Sequence, residues 1–314
     1  MTAKEWKKIF DSKEFEENYT YTGNDLGAFY EKDKTTFKVW APTADRVMLH
    51  LFTAGSREEE GEKELLQVEM EKREQGIYET QVQGDLHGVY YTFSVTVEGQ
   101  TRETGDVYAK AAGVNGKRSM VVDLVQTNPA GWEQDCHVFH PLERTWVWEA
   151  HIGDFSNDPA SGVREGYRGK YLAFTENTTL NRDGEHPTCV NYLKELGITH
   201  VHLLPSFDYG SVDESKCDTF NWGYDPVNYN VPEGSYATDA FHGEVRIKEF
   251  KGMVAALHRA GISVVMDVVY NHMYDLDSNL NKAVPWYYFR TYENGEISNG
   301  SACGNDVASE RPMC

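Results

Sequence analysis

The chain has 314 residues, with 30 Lys and Arg against 50 Asp and Glu, a formal charge of −20. That length suits about two domains, each with its own core. Hydrophobic residues at 40% and charged residues at 25% exclude a disordered chain, a collagen, a coiled coil and a disulfide mini-protein. The acidic field argues against a nucleic-acid partner and favours a neutral or cationic ligand. No apolar run reaches the roughly 18–20 residues of a bilayer span, and the first residues hold no apolar stretch of leader length, so no membrane partner is expected. Five cysteines without a CxxC pair point to a reducing, cytoplasmic setting.

In chain order, the first eighteen residues place Trp6, Ile9, Phe10 and Phe15 at helical spacing. From about Gly27 to Leu124 apolar residues recur at every second position: Phe37 and Val39, then Val47, Leu49 and Leu51, then Tyr91, Phe93, Val95 and Val97. Turn residues interrupt them at short intervals, which predicts several short antiparallel strands in an immunoglobulin-like sandwich. Aromatics of this region, such as Trp40, Tyr90 and Tyr91, suit either a sugar-stacking face or the core, and alternation alone does not separate the two.

Past Asn128-Pro129 the pattern changes. Trp146 to Trp148, Val201 to Leu204 and Val264 to Tyr270 are near-continuous apolar runs, as in strands covered on both faces. Between them, Thr188 to Leu196 and Glu244 to Ala260 carry helical spacing, and Gly197 and Gly261 stand at their C-terminal cap positions. Each glycine is followed by isoleucine, a small hydroxyl residue and a strand, a repeated unit of a parallel sheet. The division by pattern is a helical lead-in over 1–20, a β-sandwich over 21–127, and β/α units over 128–314.

Ligands of parallel α/β sheets sit beyond the carboxyl ends of the strands. After the second strand comes a long loop with Phe220-Asn221-Trp222-Gly223-Tyr224-Asp225-Pro226; the third strand leads into Asp267-Val268-Val269-Tyr270-Asn271-His272. Aromatic faces beside amide, carboxylate and imidazole groups are the constituents of a sugar site. Asp267 lies inside an apolar run, where an unpartnered carboxylate would cost several kcal/mol, so it needs a cationic or hydrogen-bonding partner.

These blocks, with Tyr229 to Asp239 and Phe250 to His272, resemble the type I pullulanases of the alpha-amylase superfamily, and Asp106 to Ala111 with Gly113 to Leu124 resemble the end of the family 48 glucan-binding module that precedes their barrel. Two positions depart from the pattern: Phe220 replaces the usual tyrosine and Val107 a more usual proline. The resemblance implies an incomplete (β/α)8 barrel and a retaining hydrolase of alpha-1,6-glucosidic linkages in pullulan, glycogen or limit dextrin. It implies that Tyr224 stacks under the sugar before the cleaved bond, Trp222 and Asp225 shape the adjoining pocket, His272 hydrogen-bonds that sugar, Asp267 orients a site arginine and Asn271 braces the strand end.

Retaining hydrolysis uses two carboxyl groups about 5–5.5 Å apart, on a barrel of eight strands in roughly 250 residues. Only three such strands are legible from Thr145 to Cys314, and the resemblance implies that the nucleophile, acid, transition-state Asp and site Arg lie beyond Cys314. The 314-residue chain is therefore expected to be inactive alone, to bind an alpha-glucan, and to self-associate through open strand edges. A non-catalytic glucan-binding protein and a branching transferase are the rival readings. No cofactor is implied; calcium is left open, although Leu280 and Trp286 replace the Gly and Glu of an EF-hand loop begun by Asp275. Cys136, His137 and His140, and His200 with His202, have spacings a metal can use but that are common by chance.

Overall fold

The computed structural model describes residues 1–216 and 220–314, so Cys217 lies outside the described residues. They form two compact units: residues 1–123, 225–231 and 269–314 make the first, residues 124–224 and 232–268 the second.

In the first unit, helix α1 (Ala3–Phe10) starts at a capping box in which the Thr2 hydroxyl accepts from the Glu5 amide and the Glu5 carboxylate from the Thr2 amide. The lead-in is two helices, because Ser12 caps a new one, α2 (Lys13–Tyr19). Then come β1 (Gly27–Glu31), β2 (Lys34–Trp40), β3 (Arg46–Phe52), β4 (Glu64–Glu69), β5 (Glu71–Lys72), β6 (Ile77–Gln83), β7 (Tyr90–Val97), β8 (Gln100–Thr104) and β9 (Ser119–Met120). They pair antiparallel into one sheet ordered β1-β2-β6-β5 and another ordered β4-β3-β7-β8, with β9 on β7. The alternating residues Phe37, Val39, Val47, Leu49, Leu51, Tyr91, Phe93, Val95 and Val97 are all buried in one core. Trp40, Tyr90 and Tyr91 are buried as well, so they are core residues and offer no stacking face.

The compact units do not follow the division at 127/128. Residues 269–314, which include the short helix Asn279–Ala283, pack with the sandwich because they carry apolar side chains that its core takes in. The Tyr287 ring meets those of Trp40 (4.6 Å), Phe10 (5.2 Å) and Phe15 (6.0 Å), and the Arg311 guanidinium lies 5.1 Å from Tyr287 and 5.3 Å from Phe10.

The second unit holds a parallel sheet of β10 (Val147–Ala150), β11 (His200–Leu203) and β14 (Ser263–Met266), in that order. Between β11 and β14 the chain also forms β12 (Phe207–Tyr209) and β13 (Pro226–Pro232), the second of which falls in the first unit up to Val231. Helices α3 (Cys189–Leu196) and α4 (Gly243–Arg259) lie where the sequence places them, and Gly197 (φ +77°) and Gly261 (φ +79°) end them. At both junctions the isoleucine amide reaches back to a leucine carbonyl, Ile198 to Leu193 (3.0 Å) and Ile262 to Leu257 (2.9 Å). Val201 and Leu203 are buried with Val190, Leu193, Met253 and Leu257. The expectation of strands covered on both faces does not hold in this unit, where Val147, Trp148, Val265 and Met266 are exposed. The third strand stops at Met266, short of the apolar run that ends at Tyr270.

In the first unit Asp106 is buried and accepts from the Tyr91 hydroxyl (2.7 Å) and the Tyr108 amide (2.9 Å). Burial pushes its carboxyl up to about 6. A folded-state value above the unfolded one gives stability that is present below about pH 4 and lost as the pH rises through 6. Urea unfolding from pH 4 to 7 should thus show Asp106→Asn gaining on the parent chain by about 2–3 kcal/mol. A difference that does not change with pH contradicts this.

Candidate functional site

The loop from β11 to α4 carries the aromatic block. At Gly223 the chain takes φ +86°, and a Cβ there would stand 2.2 Å from the Pro205 carbonyl oxygen, so the close approach requires glycine. Asn221 steadies the turn: its side-chain oxygen accepts from the Gly223 amide (2.8 Å) and its side-chain nitrogen donates to the Gly210 carbonyl (3.2 Å). His151 accepts from the Asp154 amide at Nδ1 (3.0 Å), which leaves Nε2–H to donate to the Asn221 carbonyl (2.7 Å). Held this way, Trp222 is 62% exposed and Tyr224 39% exposed, so these rings are not spent on loop packing.

Tyr224 and Asp267 are brought together. The Tyr224 hydroxyl donates to Asp267 Oδ2 at 2.8 Å. Burial, and then the Asp267 carboxylate, push that hydroxyl up to about 12, so it stays protonated at neutral pH. The partner that the sequence requires of Asp267 is thus a tyrosine, with His202 Nε2 4.0 Å away. His202 Nδ1 in turn lies 4.0 Å from Glu149 Oε1, and Glu149 is the register partner of His202 across the strands. Glu149, His202, Asp267 and Tyr224 form a polar row over the carboxyl ends of the strands. His202 belongs to this row, which the sequence pairing of His202 with His200 did not show.

The other three residues are in the first unit. Asp225 begins its 225–231 segment and is partly buried. Asn271 is exposed, and its carbonyl accepts from the Val307 amide (2.9 Å). His272 is buried, and its carbonyl accepts from the Tyr229 hydroxyl (2.7 Å).

A buried ionic cluster that sequence reasoning missed lies beneath the loop. Arg246 on α4 is fully buried and donates to both Glu214 oxygens (3.0 and 2.8 Å) and to the Pro232 and Ala240 carbonyls (3.2 Å each). Asp208 lies 3.7 Å from the same guanidinium. Burial works to lower the Arg246 pKa, but the Glu214 and Asp208 carboxylates outweigh it and hold the cation charged. Glu233 accepts from the Tyr209 and Ser235 amides (3.1 and 2.8 Å); burial, and then the Glu214 and Asp208 charges, push its carboxyl well above the usual range. Oxygens of Asp208, Glu214 and Glu233 lie within 4.8 Å of one another, the one metal-type group found among the described residues. They are hard donors of the kind calcium takes, but Arg246 already supplies the cation beside Asp208 and Glu214.

The histidines of 136–140 have structural partners. His140 Nε2 donates to the Gly261 carbonyl (3.0 Å), and His258 Nδ1 meets Asp135 (2.8 Å), with the His137 ring 6.3 Å from that of His258.

Residues 25–109 match the model of carbohydrate-binding module 48, the isoamylase N-terminal domain, and residues 188–292 match that of the alpha-amylase catalytic domain. The chain is 41% identical over 302 residues to a pullulanase of Bacillus subtilis, covering 95% of this chain and 40% of that protein. It is 32% identical to the chloroplastic pullulanase 1 of Arabidopsis thaliana, covering 95% and 34%. Among solved structures, the pullulanase of Bacillus acidopullulyticus is 48% identical with a TM-score of 0.88, over 94% of this chain and 36% of that one. The pullulanase of Paenibacillus barengoltzii, solved with maltohexaose and alpha-cyclodextrin, is 42% identical with a TM-score of 0.91, over 97% and 47%. A family 48 module and part of an alpha-amylase catalytic domain are thus present in one chain, which spans between about a third and just under half of the length of these relatives.

Removing the cation of the buried cluster leaves the buried Glu214 without its bidentate partner. Arg246→Met is expected to cost about 3–5 kcal/mol in denaturant unfolding at pH 7. A loss below about 1 kcal/mol would show that the cluster does not hold the loop.

Proposed function

We propose that this chain is the N-terminal portion of a type I pullulanase, and that it holds the alpha-glucan whose 1,6-linkages the whole protein hydrolyses with retention. The observation that carries the reading is the exposed pair Trp222 and Tyr224, the second fixed by its 2.8 Å bond to Asp267 at the strand ends. Flat rings cover the apolar C–H face of a pyranose, and a neutral glucan tolerates a chain of charge −20 because it is recognised by stacking and hydroxyl partners.

In this reading Tyr224 stacks under the sugar, Trp222 and Asp225 shape the next pocket, His272 hydrogen-bonds the stacked sugar and Asn271 braces the end of the strand. Asp267 holds Tyr224 and would orient an arginine of the longer protein. The carboxylates at the described strand ends are Glu149 and Asp267, with His202 near both. Asp208, Glu214 and Glu233 are buried around Arg246. In this reading the nucleophile and the acid belong to the longer protein, so the 314-residue chain binds without cleaving. A cytosolic setting is part of the proposal, supported by the free thiols of Cys136, Cys189, Cys303 and Cys314. Among the described residues no helix is long and apolar enough to cross a membrane. Self-association through the outer strands β10 and β14 is also proposed, supported by the exposed Val147, Trp148 and Val265.

The purified chain should be retained on immobilised amylopectin and release no reducing sugar from pullulan. Trp222→Ala should weaken maltotetraose binding about fivefold to tenfold. Sugar release by the chain alone, or unchanged affinity in Trp222→Ala, contradicts the reading.

A further inference from the structure

The segment Asn271–Met273 lies in neither a helix nor a strand, so its backbone groups must find partners elsewhere. They find them in one compact unit. The Asn271 carbonyl accepts from the Val307 amide (2.9 Å), the His272 carbonyl from the Tyr229 hydroxyl (2.7 Å), and the Tyr274 amide donates to the Pro226 carbonyl (2.8 Å). Met273 is held on both sides by one side chain: its amide donates to Asn305 Oδ1 (2.9 Å) and its carbonyl accepts from Asn305 Nδ2 (2.9 Å). The Asn305 amide thus acts as a neighbouring peptide would, a role that needs one donor and one acceptor at fixed separation.

Asn305 is itself fixed. It is 1% exposed, and the next residue, Asp306, gathers the turn before it by accepting from the Ser298 hydroxyl (2.6 Å) and the Gly300 and Ser301 amides (2.7 and 2.9 Å). These hydrogen bonds outweigh burial and hold the Asp306 carboxyl far below its usual range, so the turn is tied by a charge at any ordinary pH. The Met273 side chain is buried in the sandwich core, which anchors the same segment from the other side.

We propose that Asn305 and Tyr229 are positioning residues that set the backbone on either side of His272 and thereby aim its imidazole at a sugar hydroxyl. The proposal rests on the reading of His272 as a sugar ligand. Neither residue touches the sugar; each acts through the peptide groups flanking His272. Fixing those groups in advance removes an ordering cost from each binding event.

The test uses the 314-residue chain, with maltotetraose as the probe and the His272 ring resonances as the local readout. At pH 8 Asn305→Asp loses the donor to the Met273 carbonyl and sets a carboxylate against it; at pH 5 the introduced carboxyl, protonated in that buried place, donates again. Asn305→Asp should bind about tenfold more weakly than the parent at pH 8 and within about twofold of it at pH 5, and Tyr229→Phe about threefold to tenfold more weakly at both. Both variants should shift the His272 ring signals, while thermal unfolding of Tyr229→Phe stays within a few degrees of the parent. Parent-like affinity and ring signals in both variants, with His272→Ala weakened, would overturn the proposal. Parent-like affinity in His272→Ala overturns instead the sugar-ligand reading beneath it. If Asn305→Asp does not fold, Tyr229→Phe, which removes one hydroxyl, decides alone.

Discussion

The loop that presents the aromatic rings depends on one buried cation. Arg246 binds Glu214 in the descending arm of the excursion between β11 and α4, and the Pro232 and Ala240 carbonyls in its returning arm. Gly234 lies against the guanidinium, where a Cβ would approach Nη2 to 2.3 Å, so the returning arm passes only as glycine. With its two arms tied to a rigid helix, the long segment between them can expose Trp222 and Tyr224 without collapsing over them. A cation buried among carboxylates is a costly way to hold a loop, because desolvation offsets much of the attraction. It has a geometric merit that apolar packing lacks: the planar fork reaches a carboxylate and two carbonyls in fixed directions.

The fold was legible where local periodicity decides it. The alternation of Phe37, Val39, Val47, Leu49 and Leu51 gave the sandwich core, and the glycines at 197 and 261 gave two helix ends because only a left-handed residue closes those turns. Legibility failed where partners are distant in the chain. Nothing local announces that Asp208, Glu214 and Arg246 meet, since on a helix Arg246 reads as one more polar position. The same holds for Asn305, a loop residue whose amide meets Met273, and for Tyr287, whose ring belongs with Trp40 in the sandwich. Trp40, Tyr90 and Tyr91 show the converse limit: alternation marks them as one-sided, and only burial tells that the side is inward.

The candidate site was legible as a set of residue types and less so as an arrangement. Asp267 needed a partner, and the partner is the Tyr224 hydroxyl, which stays a neutral donor. The row from Glu149 through His202 to Tyr224 offers acceptors and donors beside exposed rings, a surface suited to sugar hydroxyls and pyranose faces. Asp208 and Glu214, by contrast, are buried against Arg246, and Glu233 is held by the Tyr209 and Ser235 amides.

The most direct measurement is a structure of the 314-residue chain with maltotetraose bound. The predicted result is a glucose ring on the face of Tyr224 with the linkages intact. Sugar found only on the sandwich sheets, with Trp222 and Tyr224 untouched, would contradict it.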